Sequence, residues 1–461
     1  SAELCDGEDN DCDPDTPDGA DEDSLGLPCD GDDSDLCEDG AIACQDGALL
    51  CVDESGDDLE LCDGMDNDCD PDTADGQDDP DVGLACDGGD SDLCEEGVLA
   101  CMDGALTCDD MTGDDIELCD GEDNDCDGAI DNECGCLVPT DYPSVQAAAN
   151  DGCVVIYLED NAPPSFSLNA PMSHTIVPVN AIELDAVSIN FQGVQMNPRE
   201  VRLQGFTLNT LTLSNPNDTN ASLVGDELLI DGVATETGAV NISGYNITIE
   251  DSIFTNNQST SMNGIVNGAG VMRIVNAQSA QVLRCEFRNN SAAGDFDVAG
   301  AIYLEGNPSS VTLANNLFDG NTANGSNAGG AVFVDQGFAA SPLIVQNNTF
   351  VNNKNNLNAD GTSMRCQHDL AGGVLRNNIA WLATGSHISG CQAATISYSD
   401  HQNGAAPGVG NISADPVFFD MQAYALDNGS PCVDAGDPDP MFNDLDNTQN
   451  DMGWTGGPLA Q

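Results

Sequence analysis

Positive charge is nearly missing from this chain. Its 461 residues carry eight lysines and arginines against 82 aspartates and glutamates, a formal net charge of -74, and neither basic residue occurs before Arg199. Phosphate recognition depends on Lys and Arg, so a surface of this sign excludes nucleic acid and is repelled by anionic membranes. Aromatic residues make up only 5% of the chain and tryptophan occurs twice, which leaves little for stacking on sugar rings. No apolar run reaches the roughly 18–20 residues of a membrane-spanning helix, so no membrane insertion is expected. Nor does a signal peptide open the chain, and Ser1 reads as a mature end after cleavage.

What is present is unevenly placed. Residues 1–136 hold fifty of the acids, sixteen of the 21 cysteines and no Lys, Arg or His. That cysteine density belongs to an oxidising compartment and to units too small to bury an apolar core, which predicts an extracellular or cell-surface protein. Acids confined to repeated loop registers argue for ordered metal loops rather than for disorder or general solubility. The change in composition near Cys136 marks the main domain boundary.

One stretch occurs three times: ELCDGEDNDCD from Glu3, ELCDGMDNDCD from Glu60 and ELCDGEDNDCD from Glu117, each 57 positions after the last. Self-similarity at a fixed period denotes copies of one small unit. The expected divisions are 1–59, 60–116, a truncated third copy at 117–136, and a long domain at 137–461. Units one and two each have six cysteines at matching offsets, Cys5, Cys12, Cys29, Cys37, Cys44 and Cys51 in the first. Six cysteines allow fifteen pairings, and sequence alone does not choose among them. The segments CEDGAIACQDGALLC and CEEGVLACMDGALTC place short apolar pairs around Asp-Gly or Glu-Gly turns, which predicts small hairpins stapled by disulfides.

The acids suggest calcium, which takes six to eight oxygen ligands in flexible geometry. Asp123, Asp125, Asp127 and Asp131 match the opening nine positions of a calcium loop around Gly128, and Glu133, a further candidate ligand, falls one place early for the closing position. The loop is not an EF-hand, because Cys134 stands at the twelfth position and no helices flank it. In the first two copies Pro14 and Pro71 replace the turn glycine, and the candidate ligands become Asp9, Asp11, Asp13 and Asp18, then Asp66, Asp68, Asp70 and Asp75. These stretches resemble the Cys/Asp-rich metal-binding-motif repeats of secreted bacterial proteins, met almost in full from Glu117 to Glu133. The resemblance implies extracellular calcium binding in a structural accessory.

From residue 137 the composition turns to Asn, Gly, Val, Ile, Leu and Thr. One amphipathic helix is expected at Asp141–Asp151, followed by a strand at Val154–Leu158. Then the chain repeats loosely: Phe254, Phe287, Phe318, Phe350 and Ile379 recur every 29 to 33 positions, and Gly-rich strands interleave with them. One stacked apolar residue per cycle of strands and turns predicts a parallel β-helix, a rod of coils about 4.8 Å apart. Two positions before each anchor stand Ser252, Cys285, Asn316, Asn348 and Asn377, expected to form a hydrogen-bonded ladder. Twenty-one being odd, one thiol is left over, and Cys285 is the expected one. The segments YPSVQAAANDGCVVIYL, the NN-x-F-x-N-N coils and the stretch from Asn411 resemble right-handed parallel β-helix proteins of the pectin-lyase-like superfamily. The fold class expected is therefore all-β, a right-handed single-stranded parallel β-helix preceded by small disulfide-rich, calcium-stabilised irregular repeats. A closing segment begins at about 411, and within it Asp444, Asp446 and Asp451, with Asn450, form a further candidate calcium loop.

The superfamily includes polysaccharide lyases and hydrolases, which raises catalysis as an alternative. Arg273, Arg284, Arg288, Lys354 and Arg365 lie in no recognisable lyase signature, and no Gly-His-Gly segment accompanies a carboxylate pair. His368-Asp369 and Asp400-His401 are neighbours that would point to opposite faces of a strand, and a surface or turn placement is expected for both. No catalytic residue is assigned. The expectation is a secreted or cell-surface calcium-binding structural protein that associates with itself, head to tail, into a fibre. The alternative is an adhesin that binds neutral polysaccharide.

Overall fold

The computed structural model describes residues 2–32, 36–53, 59–89, 93–95, 97–110, 126, 135–191, 198–213, 220–260, 268–295, 297–335, 343–357, 360–383 and 385–460. The chain divides into two compact units, 1–132 and 133–461. Cys136, read from sequence as the end of the last repeat, is the first residue of a strand in the second unit.

In the first unit, hairpins form where the Asp-Gly pairs predict them. Gly40–Gln45 pairs antiparallel with Ala48–Val52, and Gly97–Met102 with Ala105–Cys108. Both connecting residues of each turn are left-handed: Asp46 and Gly47 at φ 48° and 74°, Asp103 and Gly104 at 52° and 81°. That two-residue turn matches the twist of its strands, and Asp and Gly are among the residues that tolerate it. The only buried apolar side chains described in this unit are Cys37 and Cys94. Cross-links take the place of a core.

The cross-links depart from a six-cysteine, one-unit scheme. Cys5–Cys44 and Cys29–Cys51 close the first copy, and Cys62–Cys101 and Cys86–Cys108 close the second. Cys37 instead reaches forward to Cys69, and Cys94 to Cys126. None of the fifteen within-unit pairings applies, because one bond of each copy is made with the next.

The second unit is a parallel β-helix. Eleven parallel strands run from Cys136–Val138 and Val155–Leu158 to Thr395–Ser397 in one sheet. A larger second sheet and two smaller ones complete the coils. One coil consists of Ser279–Leu283, Glu286–Arg288, Ser291–Ala293, Asp297–Ala299 and Ile302–Glu305, after which Ser310–Ala314 lies in register beside the first strand. The helix starts later than the sequence suggests, at Val145–Asp151, because Ser144 caps it by accepting the Ala147 N–H at 3.2 Å. It buries Val145, Ala148 and Ala149 against the first coils. Two further disulfides, Cys136–Cys153 and Cys366–Cys391, lie in this unit.

Phe254, Phe287, Phe318 and Phe350 stack with ring centroids 4.9, 4.9 and 4.7 Å apart, the spacing of adjacent strands. The next coil differs from expectation by one residue. Ala380 pairs with Phe350 and takes the interior position, while Ile379 packs outward against Cys432 and Met452. The ladder shifts likewise. Asn377 takes a left-handed turn (φ 56°), as do Arg284, Asn315 and Asn347, and the residue after each turns inward. The ladder is thus Cys285, Asn316, Asn348, Asn378 and Ser399: the first three backbone N–H groups donate to the next Asn Oδ1 at 2.9–3.0 Å, and that of Asn378 to Ser399 Oγ at 3.1 Å. A second ladder, which the sequence reading overlooked, joins Asn257, Asn290, Asn321 and Asn353 through backbone and side-chain donors.

Residues from 411 onward run back along the corner of these coils rather than only closing the last one. Asn315 donates to the Trp454 and Gly456 carbonyls, Asn347 to Asn450 Oδ1, and Asp437 N–H to Asn377 Oδ1. Trp454 therefore packs beside Leu317 and Val351, on coils preceding the last.

Candidate metal centres in the acidic repeats

The first two ELCDG stretches fold their carboxylates onto their own backbone. Glu3 Oε2 accepts the Asp11 N–H at 2.9 Å, and Glu60 Oε2 accepts those of Asn67 and Asp68 at 2.8 and 3.2 Å. Asp11 Oδ1 accepts Asp13 N–H and Asp68 Oδ1 accepts Asp70 N–H, the local turn that Asp makes two residues ahead. This folding brings one carboxylate oxygen each of Glu3, Asp9 and Asp11 within 4.8 Å of one another, and likewise of Glu60, Asp66 and Asp68. Glu3 and Glu60 are each only 2% exposed.

Of the sequence candidates, Asp9, Asp11, Asp66 and Asp68 thus come together. Asp13 and Asp70 lie outside the trios and accept the N–H of Asp15 and Asp72. Asp18 and Asp75 hold the Asp-Gly turns instead, accepting the N–H groups of Asp6 and Gly7 and of Asp63 and Gly64 at 3.1–3.3 Å. Asp123, Asp125, Asp127, Asp131 and Glu133 lie outside the described residues. Sequence reasoning missed Glu3 and Glu60 as partners of the aspartates. The signal was their fixed place, six positions before Asp9 and Asp66 in both copies.

The trios fit a divalent oxygen-seeking cation. Two unit charges about 4 Å apart cost about 4 kcal/mol at a near-surface effective dielectric of 20, and the unit has no Lys, Arg or His to offset them. Burial of the glutamate removes the relief that water gives. Asp18 also approaches Cys5 and Cys44, and Asp75 approaches Cys62 and Cys101. Those sulfurs are in disulfides and supply no thiolate, so the available donors are oxygens.

In the closing segment the three candidate aspartates serve as backbone acceptors. Asp444 accepts the N–H of Asp451 and Gly457, Asp446 that of Thr448, and Asp451 that of Asp434. They form no three-carboxylate cluster of the kind seen in the repeats. Burial pushes the Asp451 carboxyl up to about 6, with Asp444 and Asp434 adding repulsion.

Three of the arginines considered as bases are paired: Arg273 with Glu305 at 3.0 Å, Arg284 with Glu250 and Asp251 at 2.9 and 2.6 Å, and Arg288 with Glu286 and Asp319 at 2.6 and 3.3 Å. Asp400 and His401 are buried rather than on the surface. Asp400 faces Cys432 and accepts the Ala414 N–H, while His401 faces the other way, into a cavity of about 820 Å³ at the last coil. His387 lines the same cavity, and the Nε2 atoms of both rings have no partner. Burial lowers both imidazoles to about 4, and for His387 the neighbouring His401 adds to it. They are neutral at pH 7.

Compared with known proteins, the chain matches no family model, no curated protein and no solved structure.

Proposed function

We infer that this chain is an extracellular structural protein in which calcium ordered by the acidic repeats rigidifies a disulfide-linked arm joined to a parallel β-helix. The observation that carries the reading is the buried glutamate of each trio, Glu3 and Glu60, held against two aspartates in a unit without one cationic side chain. Glu3, Asp9 and Asp11 would hold one ion and Glu60, Asp66 and Asp68 another, with backbone carbonyls and water completing the shell. The disulfides, and the absence of any described helix long and apolar enough to cross a membrane, are compatible with secretion. The likeness of the repeats to metal-binding motifs of secreted bacterial proteins points the same way.

Titrating calcium into the full chain tests the reading. A ligand that binds only the folded state adds about 2.7 kcal/mol at one hundred times its dissociation constant, so the first unit should melt several degrees higher in calcium than in chelator. Identical melting curves, together with no heat of calcium binding, would overturn it.

The second reading, an adhesin for neutral polysaccharide, draws support from the cavity at the last coil, where neutral His387 and His401 lie with Gln392 and Asn403. Titration with neutral oligosaccharides, watched against a His401→Ala variant, distinguishes the two.

A further inference from the structure

Two disulfides join one Cys/Asp-rich copy to the next, and both have the same construction. Cys37 bonds Cys69 and Cys94 bonds Cys126, each across 32 positions. The donor cysteines belong to one sequence, Ser-Asp-Leu-Cys-Glu, at 34–38 and 91–95. The acceptors are the second cysteines of their ELCDGxDNDC stretches. At the first junction Leu36 N–H donates to the Asp68 carbonyl at 2.8 Å, and Cys37 Sγ lies 3.2 Å from the Asn67 carbonyl oxygen. The arriving segment thus sits on residues 67–69 by backbone contact as well as by the bond.

Cys12 occupies the same position in the first stretch. It is exposed and unbonded. Its backbone nevertheless has the left-handed conformation of the bonded pair, φ 63° against 55° at Cys69 and 56° at Cys126, a region that residues other than glycine seldom enter. The carbonyl of Asp11, counterpart of the Asp68 carbonyl, has no partner among the described residues. Within this chain both Ser-Asp-Leu-Cys-Glu cysteines are already engaged, and the truncated third copy contains no such segment.

We propose that residues 10–12 are a preformed acceptor for a Ser-Asp-Leu-Cys-Glu segment of a further Cys/Asp-rich unit, which binds through the Asp11 carbonyl and a disulfide to Cys12. The bond forms by exchange. The Cys12 thiol loses its proton to solvent, and its thiolate attacks the segment cysteine held as a mixed disulfide with a small thiol. The new Sγ–Sγ bond forms as the old one breaks, and the small thiolate leaves with the electron pair and takes up a proton. No outside oxidant is consumed.

The test uses the full chain with calcium, and a peptide of residues 30–40, DGDDSDLCEDG, whose cysteine carries glutathione in disulfide linkage. A scrambled peptide of the same composition competes with it, and proteolysis with mass spectrometry reads the adducts. The native-order peptide should prevail at Cys12 by about fivefold, the factor that one hydrogen bond of ordinary strength supplies. Replacing its leucine by proline, which removes the N–H, should abolish that advantage. Cys12→Ser should give no adduct, and buried Cys285 and Cys432 should stay unmodified. Equal yields from native and scrambled peptides would overturn the proposal, as would Cys12–Cys12 dimers of two copies prevailing over the peptide adduct.

Discussion

A carboxylate buried without a cation is a liability until an ion arrives, and Glu60 makes that liability measurable. In chelator, Glu60→Gln should melt higher than the parent chain, because it removes one of three crowded charges and keeps the oxygen that accepts the Asn67 and Asp68 N–H groups. In calcium the order should reverse, since the neutral amide is a poorer ligand. Thermal melts at both conditions read the crossing; curves that never cross would remove Glu60 from the site. His387 and His401 supply a second test with the opposite dependence. Their folded pKa values, about 4, lie below the ordinary 6.5. The unfolded chain therefore takes up protons that the folded chain refuses, and stability fully present above pH 6.5 is lost as pH falls toward 4. The cost is on the order of 3 kcal/mol per ring at most. Between pH 7 and 5 the denaturant midpoint of the parent should fall relative to that of His401→Asn, a difference in which Asp451, raised to about 6 and acting in the opposite sense in both, cancels.

At the scale of the coil, what repeats is contact between identical positions one turn apart. Asn321 accepts from Asn290 and donates to Asn353 and to the Phe287 carbonyl, and all three asparagines are buried. Asn321→Leu keeps the branched skeleton but is bulkier and leaves the donors of Asn290 unmet, at about 1–3 kcal/mol for each orphaned group. Chemical denaturation should show a loss of at least about 3 kcal/mol, and Asn321→Ser a smaller one, since Ser399 fills a ladder position with its hydroxyl. Glycine forms a third column: a Cβ on Gly300 would overlap the carbonyl oxygen of Gly330, and one on Gly330 that of Thr362. Backbone cannot yield as a side chain does, so Gly300→Ala should cost about 3 kcal/mol or more in the same assay. Much of this was legible in sequence, because each column reappears about every 31 positions. The Phe stack, the coil strands and the Asp-Gly hairpins could be read directly. The slip from Asn377 to Asn378 could not, since adjacent asparagines share one spelling and only φ assigns the corner to the first. Nor could the cross-unit disulfides, because matching offsets say which cysteines are equivalent and nothing about which ones meet.

For the molecule as a whole, the two units make separate predictions. The terminal strands Ser386–Ser389 and Thr395–Ser397 each have one sheet neighbour, and an open strand edge invites another chain. If copies join there under calcium, size-exclusion and negative-stain imaging should show assemblies in calcium that disperse in chelator. Monodisperse monomers in both would sink head-to-tail assembly. In the first unit, the loops closed by Cys5–Cys44, Cys37–Cys69, Cys62–Cys101 and Cys94–Cys126 overlap end to end. A pull applied at Cys5 and Cys126 would travel by the shortest covalent route, crossing each bond and traversing only 37–44, 62–69 and 94–101. That is roughly 70 Å of extended backbone where the unbridged sequence would pay out roughly 400 Å. Load is thus carried through sulfur with almost no slack, and single-molecule stretching should show the missing contour length appear only after reduction.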